Sequence, residues 1–321
     1  MLYSYESIIS VKNLATIQPH VAVCLAAFNG MDWLPTQLDS ILAQSGVSVT
    51  ILVSVDRSND GTEAWIDSRA RNEARLVVLP HGEQFGGAAR NFFRLMRDVN
   101  FSDFDYVSFA DQDDLWPSDK LQRAHEILQK TGADGYSSNV TAFWSDGRRM
   151  RIEKSQPQQQ WDFLFEAAGP GCTYVLRRQL ACALQSLLNQ RWAAVQQVGL
   201  HDWFSYAFAR ANGFRWVIDD YAGMLYRQHE SNQVGVNKGW RAGLHRASKV
   251  LNGWGLIQSA LIADLVGVGE DVFVQRWTKS GKRKGMFWLA LQAKKCRRRH
   301  RDQVLFALSC LALGVLGRRP S

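Results

Sequence analysis

Long apolar runs are missing from this chain of 321 residues. No stretch of about 18 consecutive apolar residues occurs, so the sequence offers no conventional transmembrane helix. The segment M-L-Y-S-Y-E-S-I-I-S lacks a basic stretch followed by an apolar one, and no secretory signal peptide is expected. Paired cysteines are absent as well. Cys24, Cys172, Cys182, Cys296 and Cys310 are odd in number, scattered, and form no C-x-x-C. That pattern argues against a disulfide framework and a cysteine zinc site, and fits reduced thiols in a cytosol. Phosphate-cradling glycine loops are also missing. There is no G-x-x-x-x-G-K-[ST], and the first apolar strand is not followed by G-x-G-x-x-G, since Gly86-Gly87 lies elsewhere. A kinase or dehydrogenase reading thereby loses its warrant. No internal repeat is found.

Acids are nearly absent from one region. Residues 276–321 hold thirteen Lys or Arg against the single acid Asp302, a net +12. The whole chain is +8, so the remainder carries −4. The pI of 9.4 therefore describes a basic tail on a mildly acidic body. A whole-surface nucleic-acid binder is disfavoured, and a localised contact with something anionic is favoured.

What is present is globular. Hydrophobic residues make up 46% and charged residues 21%, with 12 Trp and 16 Phe to line a core and pockets. The length allows one large domain or two smaller ones. Val21–Ala27 is a continuous apolar run ended by Asn29-Gly30, as in a buried parallel strand. Val47–Val55, Leu76–Leu79 and Tyr106–Phe109 are predicted as three more strands. Helical stretches around Leu34–Leu42, Ala64–Ile66 and Asn91–Val99, and from about Pro117 to Lys130, alternate with them. This rhythm predicts an α/β class with a mostly parallel sheet covered by helices on both faces. Further strands are expected at Tyr136–Phe143, Arg148–Ile152, Gly169–Leu176, Phe214–Ile218 and Ala222–Tyr226. Helices are expected to about Asn189 and over Asp202–Ala211. From Trp240 onward the pattern is helical and basic.

Ligands of open α/β sheets bind beyond the carboxyl ends of the strands. Three polar clusters fall there: Ala27–Asn29, Asp56–Asp60 and Asp111–Asp114. The last packs Asp111, Asp113 and Asp114 into four residues. Such a cluster repels itself unless a cation neutralises it, and hard carboxylate oxygens suit Mg²⁺ or Mn²⁺ beside a substrate phosphate. The bland alternative is a solvated helix start. Asp202, between His201 and Trp203, reads either as a general base for an acceptor hydroxyl or as a first-turn acid. Arg227 and His229 are two residues apart, so both share one side of a strand. They read as diphosphate contacts or as a plain strand end. Gly171-Cys172 is expected at the acceptor side, with Cys172 not a nucleophile because no basic partner adjoins it. His125, His245 and His300 are expected to be ordinary surface groups.

In order, V-A-V-C-L-A-A-F-N-G, V-D-R-S-N-D-G-T and F-A-D-Q-D-D-L-W-P-S-D-K-L resemble the motifs of a family 2 glycosyltransferase with a GT-A fold. H-D-W-F at 201–204 and Y-R-Q-H-E-S-N at 226–232 are similar to its rhamnosyltransferase-like branch. The resemblance covers roughly residues 20–235. It implies that Asp56 contacts the nucleotide, that Asp111 and Asp113 form the metal–diphosphate motif, that Asp202 is the base and that His229 touches metal or diphosphate. It also implies that Arg90, which adjoins the glycine-bearing loop Phe85–Ala89, binds the donor with Ala27, Asn29, Asp56, Asp111 and Arg227, and it makes Trp116 and Trp203 candidates to stack on a sugar. It departs from the family at the second strand end, where Val55-Asp56 stands for paired acids and Arg57 for a common glycine. These departures bear on base recognition.

The expected layout is a lead-in over 1–19, a GT-A domain over 20–235 and a basic helical region over 236–321. The expected activity is inverting transfer of a sugar from a nucleotide-diphosphate donor to a glycan or lipid-linked acceptor in surface polysaccharide synthesis, with a divalent cation and no nucleic acid. The alternatives are a metal-dependent nucleotidyltransferase or sugar-nucleotide hydrolase, or a non-catalytic sugar- or nucleotide-binding module. The apolar stretch Val304–Leu316 between basic flanks reads as attachment to an anionic membrane surface, peripheral on the cytoplasmic face, or as a core helix with solvated basic neighbours.

Overall fold

From Val21 to Ala27 every residue is buried, and the run forms β1 (His20–Ala27). Its two edges pair in parallel with β2 (Ser48–Val55) and β4 (Tyr106–Asp111). A strand covered on both faces and bonded along both edges has no solvent side, so its sequence shows no alternation. The computed structural model describes residues 18–82, 84–229, 253–279 and 281–317.

The sheet runs β3-β2-β1-β4-β7-β5-β6, with β8 paired to β5. β3 (Leu76–Val78) extends the parallel half. β7 (Val175–Arg177) is antiparallel to both β4 and β5 (Gly135–Phe143), so β5 regains the direction of β1. β6 (Arg149–Ile152) is antiparallel to β5, and β8 (Trp216–Arg227) is parallel to it. The sheet is mixed and mostly parallel, as expected.

One face buries Leu34, Leu38 and Ile41 of α1 (Leu34–Leu42) and Leu121, Ala124 and Leu128 of α4 (Lys120–Thr131). α2 (Thr62–Ala70) adds Ile66. The other face buries Phe92 and Phe93 of α3 (Ala88–Asp98), Leu180 and Leu184 of α5 (Arg178–Gln190), and Phe204 of α7 (His201–Ala211). A short α6 (Trp192–Val195), not anticipated from the sequence, joins the last two.

Four expectations need correction. The helix after β4 begins at Lys120, not Pro117, because the preceding turn is tied to α1 and to the connection after it: Trp116 N donates to Ser40 Oγ and Ser45 N to Ser118 O. Gly169–Leu176 is not one strand. A 3₁₀ turn over Gly171–Thr173 precedes β7, and its backbone passes so close to α7 that a Cβ on Gly171 would lie 2.5 Å from His201 Nε2. The two strands expected between 214 and 226 are one, β8, whose irregular register around Asn139 is absorbed when the Asn139 amide donates to Asp220 O. His125 is not a free surface group: its Nδ1 lies 2.9 Å from the Tyr106 hydroxyl. His245 lies outside the described residues, as does the start of the basic region; His300 opens the last helix and is exposed.

The described part of that region folds into α8 (Trp254–Leu265), α9 (Val272–Thr278), α10 (Lys282–Leu291), α11 (Ala293–Cys296) and α12 (His300–Leu316). These helices share a core with the sheet. Trp161 stacks on Phe273 at 4.5 Å, and Phe165 meets Phe306 at 5.0 Å. The loop before β7 is thus their seat. No helix among the described residues is long and apolar enough to cross a membrane.

Candidate active site

The carboxyl ends of β1, β2 and β4 converge, because Ala26 is in register with both Ser54 and Asp111. Cross-links between the three ends make this edge rigid. Gln112 exchanges two hydrogen bonds with the Phe28 backbone at 2.8 Å. Asn29 holds φ at +44°, and its side chain accepts from Asn59 N while its own N–H donates to Ser58. Asn tolerates this left-handed conformation better than most residues.

Asp111 ends β4, and its carbonyl accepts from the fully buried Gln37 amide. Beyond it, Leu115 pairs with Leu225 of β8 through two 3.0 Å backbone bonds. That bridge brings the end of β8 onto the acidic turn. His229 Nε2 lies 2.7 Å from Asp113 Oδ2, and Arg227 donates through Nε to Asp113 O at 2.8 Å and through its backbone N–H to Asp114 Oδ1. Trp33 backs both residues, stacked on the His229 ring at 5.4 Å and under the Arg227 guanidinium at 4.6 Å. The structure therefore joins residues that the sequence separates widely.

Burial, then the neighbouring Asp113 and Asp202 charges, push the Asp111 carboxyl up to about 7. Asp114 is buried, driven well above the usual range by that burial and then by the Asp113 and Asp111 charges, and its Oδ2 has no hydrogen-bond partner. Possible ligand atoms of Asp111, Asp114 and Cys172 lie within 4.8 Å of one another. The Cys172 thiol, pushed well up by burial and by Asp114 and Asp111, stays protonated beside these carboxyls. It is a neutral prop beneath the cluster, closer to the acids than its expected place on the acceptor side. Clustered carboxyls forced toward neutrality, with an orphaned oxygen, are a donor set that a hard divalent cation would restore to the ionised form. The residues fit such an ion.

Asp202, whose charge reaches Asp111, sits in the first turn of α7, its Oδ1 accepting from Trp203 N at 2.7 Å. Burial pushes its carboxyl up to about 6. His201 beside it is wedged between Phe92, at 3.8 Å, and Phe109, at 5.3 Å. Burial lowers its pKa to about 3, so it stays neutral. Gly171 is required here: a Cβ would also come within 3.1 Å of Asp202 Cβ.

Both candidate stacking tryptophans are displaced from that role. Trp203 is 6% exposed and donates through Nε1 to Phe163 O. Trp116 is 4% exposed, with Lys120 Nζ 3.6 Å over its ring. The α7 periodicity turns Trp203 inward and the turn before α4 buries Trp116, so neither offers a face to a sugar. Asp56 is also more enclosed than expected. It is 4% exposed and accepts from the backbone N–H groups of Arg57, Phe85 and Gly86, each at 2.9 Å. Its carboxylate thus fastens the 85–86 loop to the end of β2. Arg90 serves the same loop, donating to Phe85 O and to Gln196 O. Ala27 acts through its carbonyl, which accepts from Asp56 N and Asn91.

The sequence reading overlooked Phe28. It follows the buried β1 directly and is 53% exposed between the Asn29 and Gln112 contacts. An aromatic side chain left in solvent at a strand end, where apolar residues would otherwise turn inward, was the available signal.

Comparison with known proteins identifies the family. The sequence profile described as glycosyl transferase family 2 matches residues 22–190. The chain is 39% identical over 285 residues to the dTDP-rhamnosyl transferase RfbG of Shigella flexneri, covering 88% of this chain and 98% of that one. It is 26% identical over 222 residues to the succinoglycan biosynthesis protein ExoO of Rhizobium meliloti (strain 1021), covering 67% and 62%. Among solved structures it resembles S. aureus TarS 1–349 in complex with UDP-GlcNAc, with a TM-score of 0.51 at 14% identity over 92% of this chain and 88% of that one. It also resembles the mannosyltransferase PcManGT from Pyrobaculum calidifontis in complex with GDP-Man and Mn²⁺, with a TM-score of 0.51 at 17% identity over 94% and 88%. At those identities the structures speak for the GT-A fold alone. With a profile match over more than half its length and a relative aligned almost end to end, this chain belongs to glycosyl transferase family 2 and is a glycosyltransferase.

Proposed function

We propose that this glycosyltransferase moves rhamnose from dTDP-rhamnose to a hydroxyl of a glycan or lipid-linked acceptor, with inversion at the anomeric carbon, in the synthesis of a surface polysaccharide. The sugar and the base rest on the 39% identity to a dTDP-rhamnosyl transferase across 98% of that protein. The reaction type is supported by one observation: the Asp202 carboxyl lies near enough to the acidic cluster for its charge to raise the Asp111 pKa.

On this reading Asp111, Asp113 and His229 hold a divalent cation and the donor diphosphate. Such an ion, when bound, stabilises the negative charge that develops on the leaving diphosphate. Arg227, braced by Asp113 O and Trp33, turns its positive charge toward the same group. Asp202 accepts the acceptor hydroxyl proton as the oxygen attacks C1, while the bond from C1 to the diphosphate oxygen breaks. Its raised pKa improves it as a base over an ordinary aspartate, provided it is ionised. Phe28, in the open at the end of β1, is a platform for the thymine ring; Asp56 and Arg90 hold the loop that forms the wall beside it.

The test is an assay of purified full-length protein with dTDP-rhamnose, UDP-GlcNAc and GDP-mannose, with acceptor glycan present or absent and the product anomer read by NMR. Acceptor-dependent release of dTDP, with an inverted linkage, is expected. Equal sugar release without acceptor would mark a hydrolase, and pyrophosphate release a nucleotidyltransferase.

A further inference from the structure

The C-terminal helices turn one side to the catalytic unit and another to solvent. On α12, Cys310, Leu313 and Gly314 are buried. Val304, Leu305, Leu308, Leu311, Val315 and Leu316 are 40–68% exposed. Val304, Leu308, Leu311 and Val315 follow at intervals of four, three and four residues, which places them along one side of the helix. On α10, Phe287 and Leu291 are 39% and 81% exposed and one turn apart. The two helices meet where Gly314 faces Phe287; a Cβ on Gly314 would lie 3.3 Å from that ring. The exposed apolar side chains therefore form one patch across two helices.

The exposed charges around this patch have one sign. Arg283 and Lys284 stand at the start of α10, with Arg283 so near the end of α12 that a Cβ on Gly317 would lie 3.6 Å from its Nε, and Lys294, Lys295, Arg299 and Arg301 stand at the opposite end. The one acid of this region, Asp302, is engaged by Arg301 and Arg297. Arg298, in the middle of the basic run, points inward instead. Its side chain is 1% exposed and donates to Asp162 and to Ala167 O. Asp162 in turn accepts from the Tyr206 hydroxyl on α7, the helix that carries Asp202. The patch is thus coupled to α7 through a buried ion pair and a hydrogen bond.

We propose that this face of α10–α12 docks on the surface of an anionic lipid bilayer. An apolar stripe bordered by cations matches acyl chains beneath negative headgroups. A second copy would bring cations against cations, and a polynucleotide would leave the stripe in water. α12 has 17 residues, about 25 Å at 1.5 Å each, and is too short to span about 30 Å of hydrocarbon. It lies in the plane of the interface, and the Arg298–Asp162–Tyr206 link then fixes how α7 faces the membrane. The proposal goes beyond the transfer reaction and does not depend on the identity of the donor.

The experiment is flotation of full-length protein with vesicles of phosphatidylcholine alone and with phosphatidylglycerol added. Two variants accompany it: L305S/L308S and K294E/K295E/R299E. All five side chains are exposed, so both variants should keep the wild-type melting temperature within a few degrees. Wild-type protein is expected to bind only the anionic vesicles and to be released by 0.5 M salt. The charge variant should partition about a hundredfold less, at the usual contribution of each surface cation. The apolar variant should lose at least tenfold. Binding that ignores lipid charge, or that survives either variant unchanged, overturns the proposal. So does a wild-type dimer in sedimentation equilibrium that L305S/L308S dissociates, because the stripe would then be covered by a second copy.

Discussion

His229 Nε2 and Asp113 Oδ2 lie 2.7 Å apart although 116 residues separate them in the chain. The Leu115–Leu225 bridge makes this contact, by laying the end of β8 across the turn after β4. The result is an acidic cluster that carries its own histidine and arginine, assembled from two distant motifs.

Asp113→Ala removes one carboxylate and leaves His229 without that partner. Transfer should fall below detection, and donor binding should lose its dependence on Mn²⁺, while circular dichroism and melting stay near wild type because Asp113 is not a core residue. Full activity in excess chelator would refute a metal role for this cluster.

Asp202→Asn should leave donor affinity by calorimetry nearly unchanged and lower kcat by about 10²–10⁴, the usual worth of a positioned base. In the wild type, kcat/KM should fall as pH drops through about 6, where the carboxyl takes up its proton. His201→Ala should act differently. It empties a ring-sized space between Phe92 and Phe109 and should cost about 2–4 kcal/mol of stability, with activity lost through unfolding rather than through chemistry.

The benefit of a divalent ion should grow with pH. Asp111 has a folded pKa raised to about 7, above the usual value near 4 for an unfolded chain. Between those values the folded state binds more protons than the unfolded one, so ion-free stability declines as pH rises through that window. A cation competes with that proton. The rise in Tm given by Mn²⁺ should therefore be small at pH 5 and larger at pH 8. A gain that does not vary with pH, or one that persists in Asp111→Asn, would show that the ion binds elsewhere.

Phe28→Ala should raise the KM for the nucleotide sugar about 5- to 100-fold with little change in kcat, the range expected when a base loses an aromatic platform contributing about 1–3 kcal/mol. The side chain is 53% exposed, so stability should hardly move. An unchanged KM would show that the base binds away from the end of β1.

Much of this protein was legible in its residues. The unbroken apolar run of β1, the alternation with helices, and the polar residues at three strand ends follow from local rules, because a strand buried on both faces must be apolar throughout and an abrupt polar residue must mark its exit. The family motifs around Asp111 and Asp202 are local too. Which side a single aromatic faces is not local. Trp116 and Trp203 looked available for a sugar but are buried, whereas Phe28, adjacent to the most buried strand, is open to solvent.

The sequence by itself determined the main alternating strands and helices, the sheet class, the family and the identity of the acids, since periodicity, turn chemistry and motif spacing operate within a few residues. Tertiary structure alone decided which of those groups meet. It placed His229 on Asp113, set Cys172 beneath Asp111 and Asp114, enclosed Asp56 in the 85–86 loop, and turned Arg298 inward from a run of solvent-facing cations. The physical reason is that burial and charge coupling depend on distances through space. Those distances are set by how β7 reverses the sheet, how β8 crosses the β4 turn, and how the C-terminal helices seat on the loop before β7.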